Sequence, residues 1–461
     1  MHQTFLRACL LLVLGAPLVA QADTGADIAA LRQEISTIRA AYEARLLALE
    51  ERLKVAESRP NTAPVAAATP TPAAPPSVAP ATAPAAGANA FNPAISLILS
   101  GLYSRTSQDP ARYAITGLQL ARGAEVGPGT RGFSLAESEI GIAANVDPWW
   151  RGAINLSLHP DDTVSVEEAY VQTTALGNGL SLKAGRFLSG VGYLNAKHAH
   201  TWDFVDNPLA YQALLGTQYA DDGVQLTWLA PSDHFIELGL ELGRGRGFPG
   251  GDNSRNGAGM TALSAHTGGD LGDSHSWRTG LSVLNARAND QLLVGRATNG
   301  DPVDSAFSGR TRVWVADAVW KWAPNGNATR TNFTLQGEYL RSTREGSLIY
   351  DPTLVASEGA YRAVQSGWYL QGVYQFMPAW RVGLRTEQLD AGKPDYGANG
   401  GLYALSNTKP RKNSLMVDFS PSEFSRLRLQ LARDRSQQGG SDNQLFLQYQ
   451  MSLGAHGAHA Y

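Results

Sequence analysis

The sequence predicts an all-β protein: an antiparallel transmembrane β-barrel of about sixteen strands, preceded by a short α-helical coiled coil. Three observations lead there. Apolar and polar side chains alternate along most of the chain, connections alternate between short and long, and aromatic residues gather beside the short ones. The last stretch shows the alternation plainly: Leu445, Leu447, Tyr449, Met451 and Leu453 interleave with Phe446, Gln448, Gln450 and Ser452. A period of two gives a strand with two unlike faces. A soluble sandwich explains that alternation alone, but not the other two features with it.

Composition limits the alternatives. The 461 residues are 43% hydrophobic and 17% charged, with 48 glycines, which suits many strands and turns better than a helical membrane protein. A formal net charge of -3 argues against nucleic acid as a general partner.

The first residues read as an address. Arg7 precedes the apolar run Ala8 to Leu14, Gly15-Ala16-Pro17 breaks it, and Ala20-Gln21-Ala22 offers small residues for signal peptidase, so residues 1–22 are expected to be a signal peptide. The one cysteine, Cys9, falls inside that run, which leaves the mature chain without disulfides. No other apolar run approaches the roughly 18 residues of a spanning helix, so a membrane form must be a barrel.

Residues 23–58 change period. Ile28, Leu31, Ile35, Ile38 and Tyr42 step by three and four, and Leu46, Leu49 and Leu53 resume after one extra step of four. This is a coiled coil with a stutter. Isoleucine at both seam positions shifts preference from dimers toward trimers or tetramers. Residues 59–90 are mainly Ala, Pro, Thr and Val and form a polyproline-like spacer. At about 3.1 Å per residue it can reach on the order of 90 Å, enough to bring a periplasmic coil to the peptidoglycan.

The barrel domain is expected over residues 91–461. Its first strand alternates Ile95, Leu97, Leu99 and Tyr103 with serines, and further strands follow near 132–146, 152–159, 164–175, 179–187, 223–229, 234–243, 260–267 and 277–287. The remainder lie near 312–323, 332–341, 367–377, 380–390, 414–420, 425–434 and 443–453. Short turns at Asp147-Pro148, Gly177-Asn178, Pro231-Ser232, Pro324-Asn325-Gly326, Pro378-Ala379 and Pro421-Ser422 alternate with long polar connections such as Leu188 to Asp222 and Ser342 to Ser366. Outer-membrane barrels pair short periplasmic turns with long outer loops. Trp149, Trp150, Trp228, Trp320, Trp322, Phe376, Trp380 and Phe419 cluster by the short turns, where an interfacial girdle belongs.

With apolar residues toward lipid, their neighbours line a lumen. Acids fall there at Glu137, Glu139, Glu237, Glu241 and Asp317, and bases at Lys183, Lys321, Arg381, Arg385, Arg426 and Arg428. Most acids come early and the arginines late, which places opposite charges on different walls and a transverse field between them. The connection at 188–222 is unusually aromatic and apolar, with Tyr193, His198, His200, Trp202, Phe204, Pro208 and Tyr211. It is expected to fold inward as a constriction that includes Trp202, bringing Lys197, Asp203 and Asp206 to the arginine wall.

The runs Glu167-Glu168-Ala169-Tyr170, Leu182 to Phe187 and Trp202 to Pro208 resemble the phosphate-selective porin O and P superfamily. The resemblance implies sixteen-stranded trimeric channels, and covers the chain from about Phe91 onward. Phosphate selectivity in that family rests on rows of basic lumen residues. Here only Arg381, Arg385, Arg426 and Arg428 suggest a row, and acids are as frequent. The His198 to Pro208 run and the ending 454–461 also resemble uncharacterised outer-membrane proteins labelled zinc-regulated TonB-dependent receptors. That label implies a barrel of about 22 strands with a plug, for which this chain is too short. It directs attention to His198 and His200 as zinc ligands, with His456 and His459 in the tail. Imidazole suits zinc, but two residues are fewer than the usual three or four ligands.

Asp252, Ser254, Asn256 and Gly257 begin like a calcium loop, yet Leu263 stands where a bidentate Glu is needed. No catalytic set emerges and no cofactor is called for. The expectation is a non-enzymatic channel for small hydrophilic solutes or ions, trimeric, in outer-membrane lipid. The alternatives are a metal receptor and a tether between outer membrane and cell wall.

Overall fold

The computed structural model describes residues 93–251 and 256–454. The expected leader, coil and linker, the tail histidines His456 and His459, and Asp252 and Ser254 all lie outside them. Among the described residues, hydrogen bonds join eighteen strand segments into one antiparallel sheet. Leu120–Ala121 is a two-residue patch, and Gly132–Leu135 and Ser138–Asn145 are halves of one stave, which leaves a wall of sixteen.

In chain order the staves are β1 (Ala94–Thr106), β2 (the two halves just named), β3 (Trp150–Leu158), β4 (Val164–Thr173), β5 (Leu180–Leu188), β6 (Ala220–Leu229), β7 (Phe235–Gly243) and β8 (Met260–Leu271). They continue with β9 (His275–Arg296), β10 (Pro302–Trp322), β11 (Asn332–Tyr350), β12 (Ser357–Met377), β13 (Trp380–Asp390), β14 (Arg411–Ser422), β15 (Ser425–Asp434) and β16 (Asp442–Gly454). Each pairs with its sequence neighbours, and β16 closes on β1 from Ser96 opposite Gly454 to Thr106 opposite Gln444. Closure leaves no sheet edge, which lipid requires. Ala94 faces Ala143 and Ser96 faces Gly454, so both described ends of the barrel lie at the short-turn end.

The two faces are inverted relative to a soluble sheet. On β16, Leu447 and Tyr449 are 47% and 42% exposed, while Gln444 and Gln448 are 2% and 8% exposed. On β15, Leu427, Leu429 and Leu431 point out, and Arg428, Gln430 and Asp434 are buried inside. An apolar exterior over a polar interior is stable only where the exterior solvent is hydrocarbon.

One expectation needs correction. The stretch Ser342 to Ser366 is not a long loop: β11 and β12 run 19 and 21 residues and stay in register to Tyr350 opposite Ser357, joined by six residues, 351–356. Beyond the lipid belt both faces of these strands meet water or loops, so Ser, Thr, Arg and Gly replace the alternation although the ladder continues. The same extension lengthens β9 and β10 to 22 and 21 residues, about twice the span that a membrane needs.

Within the wall, connections 107–131 and 189–219 fold inward and pack Ile115, Leu118, Val191, Leu194 and Leu214 into an apolar cluster with Leu284, Val313 and Leu340 of the staves. Residues 391–410 bring Tyr396 and Tyr403 against Phe307 and Tyr361. The sequence predicts one inward connection, 189–219; among the described residues 107–131 and 391–410 fold inward as well, and Phe248 of the connection after β7 packs on the second cluster.

Leu429→Arg, which puts a charge on the outward face in mid-strand, is expected to lower barrel stability by about 2–4 kcal/mol in urea unfolding from lipid vesicles. An unchanged transition midpoint means that this face does not meet lipid.

Candidate functional site: an inward loop between two charged walls

The connection 189–219 is closed at its neck by Asn195, whose side-chain amide donates to the Ser189 and Tyr219 carbonyls (2.8 and 2.9 Å) and accepts from the Tyr219 N–H (2.8 Å). Beyond the neck the chain forms one short helix, α1 (Leu209–Leu215), whose residues are all buried. Pro208 starts it in extended backbone, and Gly216 ends it at φ 66°, a left-handed turn that suits glycine. The Leu209 N–H, an orphan donor at the helix start, goes to the Glu387 carboxylate on β13.

Staves on one side hold the loop through bases. Arg381 on β13 donates to Asp203 (2.9 Å) and, through two nitrogens, to Asp418 on β14 (3.0 and 2.6 Å). Arg385 reaches both the Asp206 carboxylate (2.7 Å) and the Asp206 carbonyl (2.8 Å), and Lys412 and Gln430 donate to the same carboxylate. Arg426 donates to the His200 carbonyl and Arg428 to the Trp202 carbonyl, each at 2.8 Å. Planar guanidinium forks suit such paired acceptors.

Staves elsewhere hold it through acids. Glu241 on β7 accepts from Ser189 Oγ (2.6 Å) and the Gly190 N–H (2.8 Å). Glu338 on β11 accepts from the Tyr193 and Leu194 N–H groups (3.1 and 3.0 Å) and from the hydroxyls of Tyr211 (2.8 Å) and Tyr369 (2.6 Å). On the β2–β4 wall, His198 Nδ1 lies 3.0 Å from Glu167 and 3.3 Å from Glu139, its Nε2 lies 3.0 Å from Glu168, and His200 Nδ1 lies 2.9 Å from Glu139.

The residues singled out from sequence therefore separate. Asp203, Asp206, Trp202, Arg381, Arg385, Arg426, Arg428, Glu139, Glu241, His198 and His200 converge on the loop and its walls. Lys197 does not reach the arginines; its ammonium sits 4.4 Å from the Tyr193 ring centroid. Lys183 stacks on Tyr170 (4.5 Å) toward the short-turn side. Glu237 faces His266 (3.3 Å), away from the loop, and Glu137 lies at the break in β2, half-buried. The arginines are also less open than a lumen row implies. Arg385 and Arg428 side chains are 2% and 1% exposed, because the loop covers them, while Arg381 and Asp203 keep 26% and 22%. Sequence reading missed Glu167, Glu168, Glu338, Glu387, Lys412 and Gln430. Inward parity on the strands was a usable signal for Glu338, Glu387, Lys412 and Gln430 but not for the adjacent pair Glu167 and Glu168, and the partners of all six lie on a loop whose path no periodicity gives.

Burial of Asp206 acts to raise its pKa, but the Lys412 ammonium and Arg385 guanidinium outweigh it and hold the carboxyl well below its ordinary 3.8. A carboxyl depressed in this way supports docking at any pH above its ordinary value and loses that support only as pH falls through the depressed value.

These features define a class: a closed antiparallel barrel whose lumen is crossed by a loop bound to acidic and basic staves. No family model matches the chain. An uncharacterized protein of Aquifex aeolicus (strain VF5) is 30% identical over 350 residues, 72% of this chain and 70% of that one, and the chain belongs to the same family as that protein. Solved structures similar to it include in-vitro folded OmpT, an outer membrane protein of Vibrio cholerae (10% identity, 78% of this chain and 97% of that one, TM-score 0.47). The outer membrane channel DcaP of Acinetobacter baumannii gives 13%, 78%, 97% and 0.45, and an anion-selective porin from Comamonas acidovorans 12%, 78%, 99% and 0.47.

Arg385→Ala leaves Asp206 and Glu387 short of a buried partner and is expected to weaken loop docking by about 3–5 kcal/mol, read as faster hydrogen exchange over residues 203–215 with the barrel intact. In the wild type, protection of those amides should persist at pH 5 and fall only below pH 3.8. Asp206→Asn should show the loosened state at both pH values.

Proposed function

We propose that the chain is an outer-membrane porin of a Gram-negative bacterium, a passive, non-enzymatic channel for small hydrophilic solutes or ions. It works as a homotrimer in outer-membrane lipid, with 189–219 as its constriction and residues 23–90 in the periplasm. One observation carries the reading: amides, hydroxyls and charges face inward around a closed barrel, and a loop with charges of both signs crosses that interior. Polar walls of this kind suit an interior that holds water and solutes, and part of their charge also holds the loop in place.

Within this reading the basic residues divide by exposure. Arg381 and Asp203 remain open at the loop surface and are the charges a passing ion meets, while Arg385 and Arg428 hold the loop in place. The likeness of the Glu167, Leu182 and Trp202 runs to O and P porins supports the trimer. Zinc uptake by an energised receptor asks for about 22 strands and a plug, and the wall here has sixteen. Attachment of the coil to peptidoglycan is compatible with the channel and adds a tether to it.

Purified protein in planar bilayers should give ohmic current that closes in three steps; absence of current refutes the channel. Reversal potentials separate the two kinds of arginine. Arg381→Ala removes an open charge as well as the Asp203 anchor, so it should shift preference severalfold toward cations in addition to raising conductance, whereas Arg428→Ala should loosen the loop and raise conductance without that shift. Equal effects from both would remove the distinction.

A further inference from the structure

We propose that Glu139, Glu167 and His198 form a binding site for a divalent transition-metal ion, where the inward loop meets the β2–β4 wall. One ligand atom from each lies within 4.8 Å of the other two. The two contacts of His198 Nδ1, 3.0 Å to Glu167 and 3.3 Å to Glu139, are near the edge of roughly 3.4 Å that a tetrahedron with metal–ligand bonds of about 2.1 Å requires. His200 Nδ1, 2.9 Å from the same Glu139 oxygen, supplies a fourth position, which water can also take.

A feature of the backbone builds this cluster. Along β3 and β4 the register shifts: Asn155 pairs with Glu168 but Leu156 pairs with Val166, so Glu167 is the extra residue of a β-bulge. In a regular strand consecutive carboxylates point to opposite faces. The bulge instead turns Glu167 and Glu168 to the same histidine, as bulges do where a side chain must be re-aimed.

Glu168 then completes the arrangement from behind. Its Oε2 sits 3.0 Å from His198 Nε2, the nitrogen facing away from the other two carboxylates, and its Oε1 accepts the Leu188 N–H at 3.0 Å. A carboxylate fixed by backbone and bonded to the far nitrogen of an imidazole is the outer-shell partner that metal-bound histidines have. Ser157 orients Glu167 in the same way, at 3.3 Å.

Charge gives a further reason. Among the described residues, the ion-pair partners of Glu139, Glu167 and Glu168 are histidines. Three carboxylates against two imidazoles leave net negative charge even with both rings protonated, in a pocket where Glu139, Glu168 and His200 are 8%, 6% and 9% exposed. A divalent cation offsets that charge more directly than Lys183, the base near Glu168, which makes no ion pair with the three carboxylates among the described residues. Mixed imidazole and carboxylate donors favour zinc or a neighbouring transition ion over calcium or magnesium, which prefer oxygen alone. Bound there, the ion would join two staves to the loop.

The test is calorimetric titration of zinc into the chelator-treated, refolded full chain in detergent, with His456→Ala and His459→Ala present to remove tail binding. One tight ion per chain is expected, with calcium and magnesium failing to compete. Glu167→Gln and His198→Ala should abolish it, and Glu168→Gln should weaken it about 10–100-fold, while His266→Ala leaves it unchanged. Heat-modified mobility in gels reports folding of each variant, and if His198→Ala does not fold, Glu168→Gln carries the comparison. Absence of zinc binding, or equal affinity in wild type, Glu167→Gln and Glu168→Gln, overturns the site. The readout does not involve conductance, so it stands or falls separately from the channel.

Discussion

Every backbone donor and acceptor in the lipid belt must find its partner within the wall, and the β1–β16 ladder is where that demand is met last. Its eleven register pairs, from Ser96 opposite Gly454 to Thr106 opposite Gln444, turn a sheet with two open edges into a surface with none. The other features follow from closure. Outward side chains face hydrocarbon, so Leu427, Leu429, Leu447 and Tyr449 stay exposed. Inward side chains share an enclosed space, so arginine and glutamate can be buried there if they find each other.

The loop at 189–219 answers that second condition. Aspartates 203 and 206 go to the arginine and lysine staves, and histidines 198 and 200 go to the glutamate staves, so the loop's own charge pattern is complementary to the walls it meets. Removing a single partner strands the opposite charge in a low-dielectric site, which costs more than the intact pair contributes. The apolar filling of Val191, Leu194 and α1 covers the remaining loop surface. A connection of this composition is therefore stable inside a barrel and would be costly outside it.

Much of the wall was legible because alternation reports the boundary between lipid and lumen directly: all sixteen staves correspond to strands read from sequence. Their upper ends were not legible. Where both faces of β11 and β12 leave the lipid belt, residues such as Ser342, Thr343 and Arg344 carry no period although they remain fully paired. The inward course of 189–219 was legible from misplaced aromatic and apolar residues, but its partners were not, since an ion pair such as Arg381 with Asp203 joins residues 178 apart. Connection 107–131 was missed because Ile115, Leu118 and Leu120 are spread among glycines and polar residues. The bulge at Glu167 was hidden as well: it shows only as a shift in pairing between β3 and β4.

The loop's anchors are unequal in sequence distance, and this imposes an order on assembly. His198 meets Glu167 across 31 residues, whereas Asp203 meets Arg381 across 178 and Arg426 meets the His200 carbonyl across 226. Contacts of short separation form at small entropic cost, and those of long separation wait for the intervening chain. The loop can thus settle on the glutamate staves while the barrel is still an open sheet, and it acquires the arginine staves only when β13 to β15 come round. A barrel closed in a shifted register would therefore leave Asp203 and Asp206 without cations.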